Sequence, residues 1–163
     1  MCQSATPSSN LIVTAVPFDV KDFLSEEWKL VFEDHDSLKD GLKSVDFSKV
    51  KLVSCLKQGE IRITCEEKFE RLKAGNKIRL GADVFLGLWR DWEALKENSV
   101  LETLFRTQNI TYLDFFGDVL LDPSGSRCVL ILRRDSSGQW GWSCGGLDHF
   151  RYARQVSAVL PIV

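Results

Sequence analysis

QWGWSCGGLDHFRYARQVSAVL, residues Gln139–Leu160, decides how the chain is read. Trp140 and Trp142 stand two positions apart, so on a strand both rings point to one face. Gly141 and Ser143 then point to the other face with almost no side chain. Cys144-Gly145-Gly146 follows, a run that regular strand or helix disfavours. His149, Phe150, Arg151, Tyr152 and Arg154 come next with neither strand nor helix periodicity. Ser157 to Val163 returns to a small apolar strand. An ordered frame thus encloses a run of mixed chemistry. Tyr and Trp supply stiff contact area at low entropic cost, Ser and Gly adapt locally, and Arg adds directional hydrogen bonds. Such types suit recognition, and a loop tolerates this variety when a rigid sheet supports it.

Reading outward, the preceding third supplies that sheet. Asp135-Ser136-Ser137-Gly138 and Asp122-Pro123-Ser124-Gly125 are turn sequences. Between them Cys128–Leu132 is apolar on both faces, as in a covered central strand. Before them, Ile110–Leu121 places Thr111, Leu113, Phe115, Val119 and Leu121 on one face, with Asp114 and Asp118 outward. Further upstream, Val84, Phe85, Leu88, Trp89, Trp92 and Leu95 recur at helical spacing, predicting a helix over Ala82–Lys96 with its apolar stripe in the core. Shorter helices are expected near Val100–Arg106 and Cys65–Ala74. The latter starts at the capping box Thr64-x-x-Glu67, carries Phe69 and Leu72 inward, and closes at Gly75-Asn76. Strands are expected at Leu11–Val16, Trp28–Phe32, Val50–Leu56 and Ile61–Ile63, with a helical turn over Asp19–Leu24 and a turn at Gln58-Gly59.

At 163 residues the chain is long enough for one domain with a real core, 44% apolar and 27% charged. We read Met1–Asn10 as disordered and residues 11–163 as that domain. The formal net charge is −2, from 21 basic and 23 acidic residues, which gives no domain-wide basic field for nucleic acid. No membrane span and no signal pattern is legible, so a cytoplasmic protein is expected. The cysteines (Cys2, Cys55, Cys65, Cys128, Cys144) form no C-x-x-C pair, so free, mostly buried thiols are expected.

Catalytic and metal motifs weigh less. Gly141-Trp142-Ser143-Cys144-Gly145 spells G-x-S-x-G, but that elbow needs a helix start behind it and acid and His further along. Asp148 and His149 are adjacent and cannot both extend a relay from Ser143. A Cys144–His149 pair lacks a visible orienting group. Asp34-His35-Asp36 reads as a solvated turn rather than a metal site. No metal and no cofactor is expected.

The frame W-x-W-x-x-x-x-L-D, followed by S-A-V-L, resembles the variable C-terminus of target proteins of diversity-generating retroelements. Its members here are Trp140, Trp142, Leu147, Asp148, Ala153, Ser157, Ala158, Val159 and Leu160. In that family template adenines are randomised, so an Asn codon AAC becomes NNC. Gly141, Ser143, Cys144, Gly145, His149, Tyr152 and Arg154 all fall in the NNC set. Gln155 falls outside it, and Gly146, Phe150, Arg151 and Val156 depart from the family's Trp, Asp, Trp and Pro. Upstream, Lys57-Gln58-Gly59-Glu60, Glu66-Glu67-Lys68, Leu88-Trp89 and Phe115-Phe116-Gly117 are similar to the body of the same proteins.

The resemblance implies a C-type-lectin-like fold whose last strand returns beside the early ones. It also implies a ligand-binding function, non-catalytic, toward a protein or carbohydrate, carried by Gly141, Ser143, Cys144, Gly145, His149, Phe150, Tyr152 and Arg154. The residues on their own indicate an α+β domain, helices packed on a small antiparallel sheet. They leave open an intracellular scaffold or regulatory protein with an irregular C-terminal loop, and a small hydrolase using Ser143 or Cys144.

Overall fold

A computed structural model describes residues 11–162. The expectations for Met1–Asn10 and for Cys2 lie outside the described residues. The chain enters as β1 (Ile12–Thr14), followed by α1 (Val20–Phe23), whose start is capped by the Asp19 carboxylate accepting from the Lys21 and Asp22 amides. Four short strands follow: β2 (Lys29–Leu30), β3 (Ser44–Asp46), β4 (Lys51–Val53) and β5 (Arg62–Thr64). The expected strand over Trp28–Phe32 shrinks to β2, because the chain tightens into a 3-10 turn at Phe32–Asp34 and leaves Leu30 and Phe32 exposed.

α2 (Cys65–Ala74) begins where the capping signal placed it, with Thr64 Oγ1 accepting from the Glu67 amide at 3.1 Å. The reciprocal half of the box does not form. The Glu67 carboxylate turns down the helix to Arg71 Nε at 3.0 Å instead. β6 (Lys77–Arg79) leads into α3 (Ala82–Leu95), the long helix expected from its apolar stripe, although Leu95 at the tail is exposed. Ser99 caps α4 (Val100–Gln108), and Asn109 ends it in the left-handed region.

The last third is the meander β7 (Tyr112–Leu121), β8 (Arg127–Arg134) and β9 (Trp140–Gly146), then β10 (Phe150–Tyr152) and β11 (Val156–Pro161). The strand order of the main sheet is β4-β11-β7-β8-β9, with β2 added on β7 and β6 on β11. β11 lies antiparallel to β4 and parallel to β7, so the end of the chain closes the sheet between an earlier strand and the meander. β1 pairs with β3 and β5 with β10 as separate two-stranded ribbons.

Both faces of the sheet are covered. Leu113, Phe115, Leu130, Leu132 and Trp140 pack against α3 and α4. Phe116, Val119, Val129 and Val159 pack against Phe69 and Leu72 of α2 on the other side. Each such fully buried large side chain contributes about 1.5–3 kcal/mol relative to exposure.

This double cover overturns one expectation. Asp114 and Asp118 do not face outward: they are 0% and 4% exposed. On a strand covered on both sides, alternation says which layer a residue enters and not whether it reaches water. A register break between Phe115 and Leu120 also exchanges the faces, so Val119 leaves the layer of Leu113 and Phe115. The break sits at Gly117, where the backbone of residues 79–81 crosses so closely that a Cβ would lie 2.4 Å from Arg79 O. Gly117 donates to Leu80 O there at 2.9 Å.

Asp34-His35-Asp36 is likewise no solvated turn. His35 holds Asp118 Oδ1 at 2.6 Å and Asp40 Oδ1 at 2.7 Å, and Asp36 accepts from the Arg79 amide at 2.9 Å. The run ties the early loop to the bulge of β7. Among the described residues no His, Cys, Asp and Glu side chains are grouped to hold a metal, and no helix is long and apolar enough to cross a membrane.

Candidate ligand-binding surface

The expected lack of periodicity over Phe150–Tyr152 is corrected: β10 is a strand with clean alternation. It pairs antiparallel with β5, in the register Phe150↔Thr64, Arg151↔Ile63 and Tyr152↔Arg62. Phe150 and Tyr152 are 44% and 46% exposed, whereas Arg151 between them is 3% exposed. The ribbon is pinned at the start of α2, where the Cys65 amide donates to His149 O at 2.7 Å and the Glu66 amide to Leu147 O at 2.9 Å. On its outer side the Arg62 guanidinium lies 3.9 Å from the centre of the Phe150 ring. His149 and Arg154 are exposed at its two ends. Gln155 closes the turn after Tyr152: its side-chain oxygen accepts from the Tyr152 amide at 2.9 Å, and its own amide donates to Tyr152 O at 3.0 Å.

The inner side of the ribbon is a buried ionic cluster. Arg151 Nε donates to Asp114 Oδ2 at 3.3 Å, and Lys68 Nζ reaches the same oxygen at 3.2 Å. Ser157 Oγ donates to Asp114 Oδ1. Lys68 also donates to Gln155 O at 2.6 Å. Burying charged groups is costly unless they are paired and hydrogen-bonded, and this cluster provides both. Tyr112 Oη and Arg151 Nη2 are buried there without a partner. Burial pushes the Tyr112 hydroxyl up, and it pushes the Cys65 thiol up to about 12, so neither is a ready nucleophile or base.

β9 carries the other expected site residues on two faces. Trp140 is 4% exposed and donates from Nε1 to Glu102 Oε2 at 3.1 Å, while Glu102 also holds Arg134 at 2.9 and 3.1 Å. Trp142, on the same face but at its margin, is 38% exposed and packs against Phe23, with ring centroids 4.7 Å apart and planes tilted by 50°. Cys144 shares this helix-side face and packs against the core. The neighbouring Cys128 thiol holds the Cys144 thiol pKa below its ordinary value, against the opposing effect of burial. Cys55, Cys65, Cys128 and Cys144 are all free.

Gly141 and Ser143 lie on the opposite face, over a shallow cleft of about 140 Å³ bordered by Arg133, Asp135 and Gln139. Gly145 is on that face too, but it is buried beneath Arg151 and is no surface position. The G-x-S-x-G run therefore lies along an antiparallel strand with no helix behind it.

Of the sequence-predicted residues, Phe150 and Tyr152 share the outer face of the ribbon, His149 and Arg154 are exposed at its opposite ends, and Gly141 and Ser143 lie apart from them on the sheet. Cys144 is half-buried on the far face, and Gly145 supports rather than contacts. Sequence reasoning missed Arg62, although the alternation Ile61-Arg62-Ile63 was its signal. It also missed Arg151 as the anchor. Comparison with protein-family models, curated proteins and solved structures finds no match to this chain.

Proposed function

We propose that this chain is a non-catalytic ligand-binding protein that displays a diversified C-terminal surface on a rigid sheet, similar to the target proteins of diversity-generating retroelements. The observation that carries this reading is the alternation in β10. Phe150 and Tyr152 stand out from the ribbon while Arg151 between them is locked to Asp114 inside. Side chains so placed vary without cost to the core, and their backbone stays fixed because its anchor is buried. Of the frame positions, Trp140, Leu147, Ser157, Ala158 and Val159 are core, whereas Trp142, Asp148 and Ala153 are exposed.

The strand order β4-β11-β7-β8-β9, with α2 and α3 between β4 and β7, supports the C-type-lectin-like form of the reading, in which the last strand closes beside an earlier one. The surface is aromatic and cationic, with Arg62 against Phe150 and with Arg154 exposed nearby. Such a face suits a protein or carbohydrate ligand that offers acidic and ring-stacking groups.

The test is binding of the labelled protein to protein and glycan arrays, beside Phe150→Ala/Tyr152→Ala. The reading expects the variant to melt like the parent and to lose the parent's array signals by tenfold or more, as happens when central aromatic anchors worth about 2 kcal/mol are truncated. Signals that survive the double substitution would place any binding elsewhere.

A further inference from the structure

β9 is the outer strand of the main sheet. It pairs with β8 on one side, and on the other side no strand joins it among the described residues. The ladder fixes which groups look toward that open side. Arg134 turns its amide to Thr111 O before β7, and Arg127 turns its carbonyl to the Leu147 amide after β9. Backbone direction alternates along a strand, so Val129, Ile131 and Arg133 face β9 and bond Gly145, Ser143 and Gly141. Trp142 and Cys144 therefore turn their N–H and C=O groups outward. Natural edges are usually blunted by charge, proline, a bulge or shortness. None of these is present: the strand runs Trp140–Gly146 in unbroken register, with no charged residue and no proline. The opposite end of the sheet differs, since β4 spans only Lys51–Val53 and opens on a lysine.

We propose that this edge pairs with β9 of a second copy of the chain, antiparallel, about a two-fold axis through Ser143. Trp142 and Cys144 lie symmetrically about Ser143, so each strand's outward groups meet the other's in register. Trp142 of one copy then exchanges backbone hydrogen bonds with Cys144 of the other. On the helix-side face, the exposed Trp142 indole lies over the half-buried Cys144 opposite it, and both lose contact with water. On the other face Gly141 and Ser143 leave the approach unobstructed, and nothing lies within 4 Å of a Cβ built at Gly141. The strand is uncharged, so no like charges are forced together. The assignment needs no diversified function. If the ribbon does bind ligand, the same two-fold places both ribbons on one side of a continuous sheet and lets a multivalent target engage both.

Sedimentation combined with amide hydrogen exchange over a concentration series tests this. The expected result is a monomer–dimer equilibrium in which the Trp142 and Cys144 amides exchange freely in dilute protein and become protected as dimer forms. The Ser143 amide, bonded to β8, stays protected throughout. Trp142→Pro removes one outward donor per copy, at a position where an edge strand accepts proline, and should weaken dimerisation about tenfold or more. A monomer at every concentration overturns the proposal. So does a dimer in which the Trp142 and Cys144 amides still exchange freely. Should the proline variant fail to fold, the exchange pattern of the unaltered chain decides alone.

Discussion

The guanidinium of Arg151 lies against the backbone of Gly145, so that a Cβ on Gly145 would stand 2.7 Å from Nη2 and 2.5 Å from Ile131 Cδ1. An arginine tip usually swings aside, but this one is held by Asp114 through Nε and by Phe150 O through Nη1. Gly145→Ala should therefore destabilise by about 1–3 kcal/mol, as overpacking does. Gly141→Ala, on the same face with open space around it, should stay within about 0.5 kcal/mol of the parent. Equal thermal shifts for the two variants would contradict the placement of Arg151.

The ionic cluster under the ribbon makes a second prediction. Asp114 is the shared acceptor for Lys68, Arg151 and Ser157, all buried. Asp114→Ala would leave two buried cations without a counter-charge and should cost about 3–5 kcal/mol. Urea unfolding measures it. A loss under about 1 kcal/mol would mean that the cations reach water, contrary to the burial described.

Acid stability should depend on Asp118. Burial raises its pKa, but Lys39 Nζ at 3.0 Å, the Ala82 amide at 2.7 Å and His35 Nδ1 at 2.6 Å outweigh burial and hold it below the ordinary value. A carboxylate depressed on folding gives its full stabilisation above its unfolded pKa of about 3.9 and loses it as pH falls through the folded pKa. Asp118→Asn should therefore be less stable than the parent at neutral pH, and the gap should narrow at the acid end. A gap that holds constant down to about pH 2 would exclude Asp118 as the titrating group.

Much of the architecture was legible because it rests on local rules. The α3 stripe, the Thr64 cap and the Asp-Ser turns are written in neighbouring residues, and each appears where its pattern places it. Burial of Asp114 and Asp118 was not legible, because their partners Lys68, Arg151, Lys39 and His35 are far away in sequence and no local pattern announces a compensated charge. The strand at Phe150–Tyr152 was missed for a related reason. Its alternation of Phe, Arg and Tyr turns the aromatic side outward, and the inward residue is an arginine neutralised by tertiary contacts. Trp140 and Trp142 were correctly read as sharing a face, but only the structure separates them. One inserts beside Glu102, and the other stands at the sheet margin against Phe23.

The central claim, a diversified surface on a fixed frame, is tested most directly by sequencing the genomic neighbourhood of the coding segment for Trp140–Leu160. The account predicts a nearby near-copy beside a reverse transcriptase gene. The two copies should differ at template adenines, with changes falling on codons such as those of Gly141, His149, Tyr152 and Arg154 and sparing those of Trp140, Leu147 and Ser157. A neighbourhood without such a copy, or a copy whose differences fall equally on frame and surface codons, would contradict it.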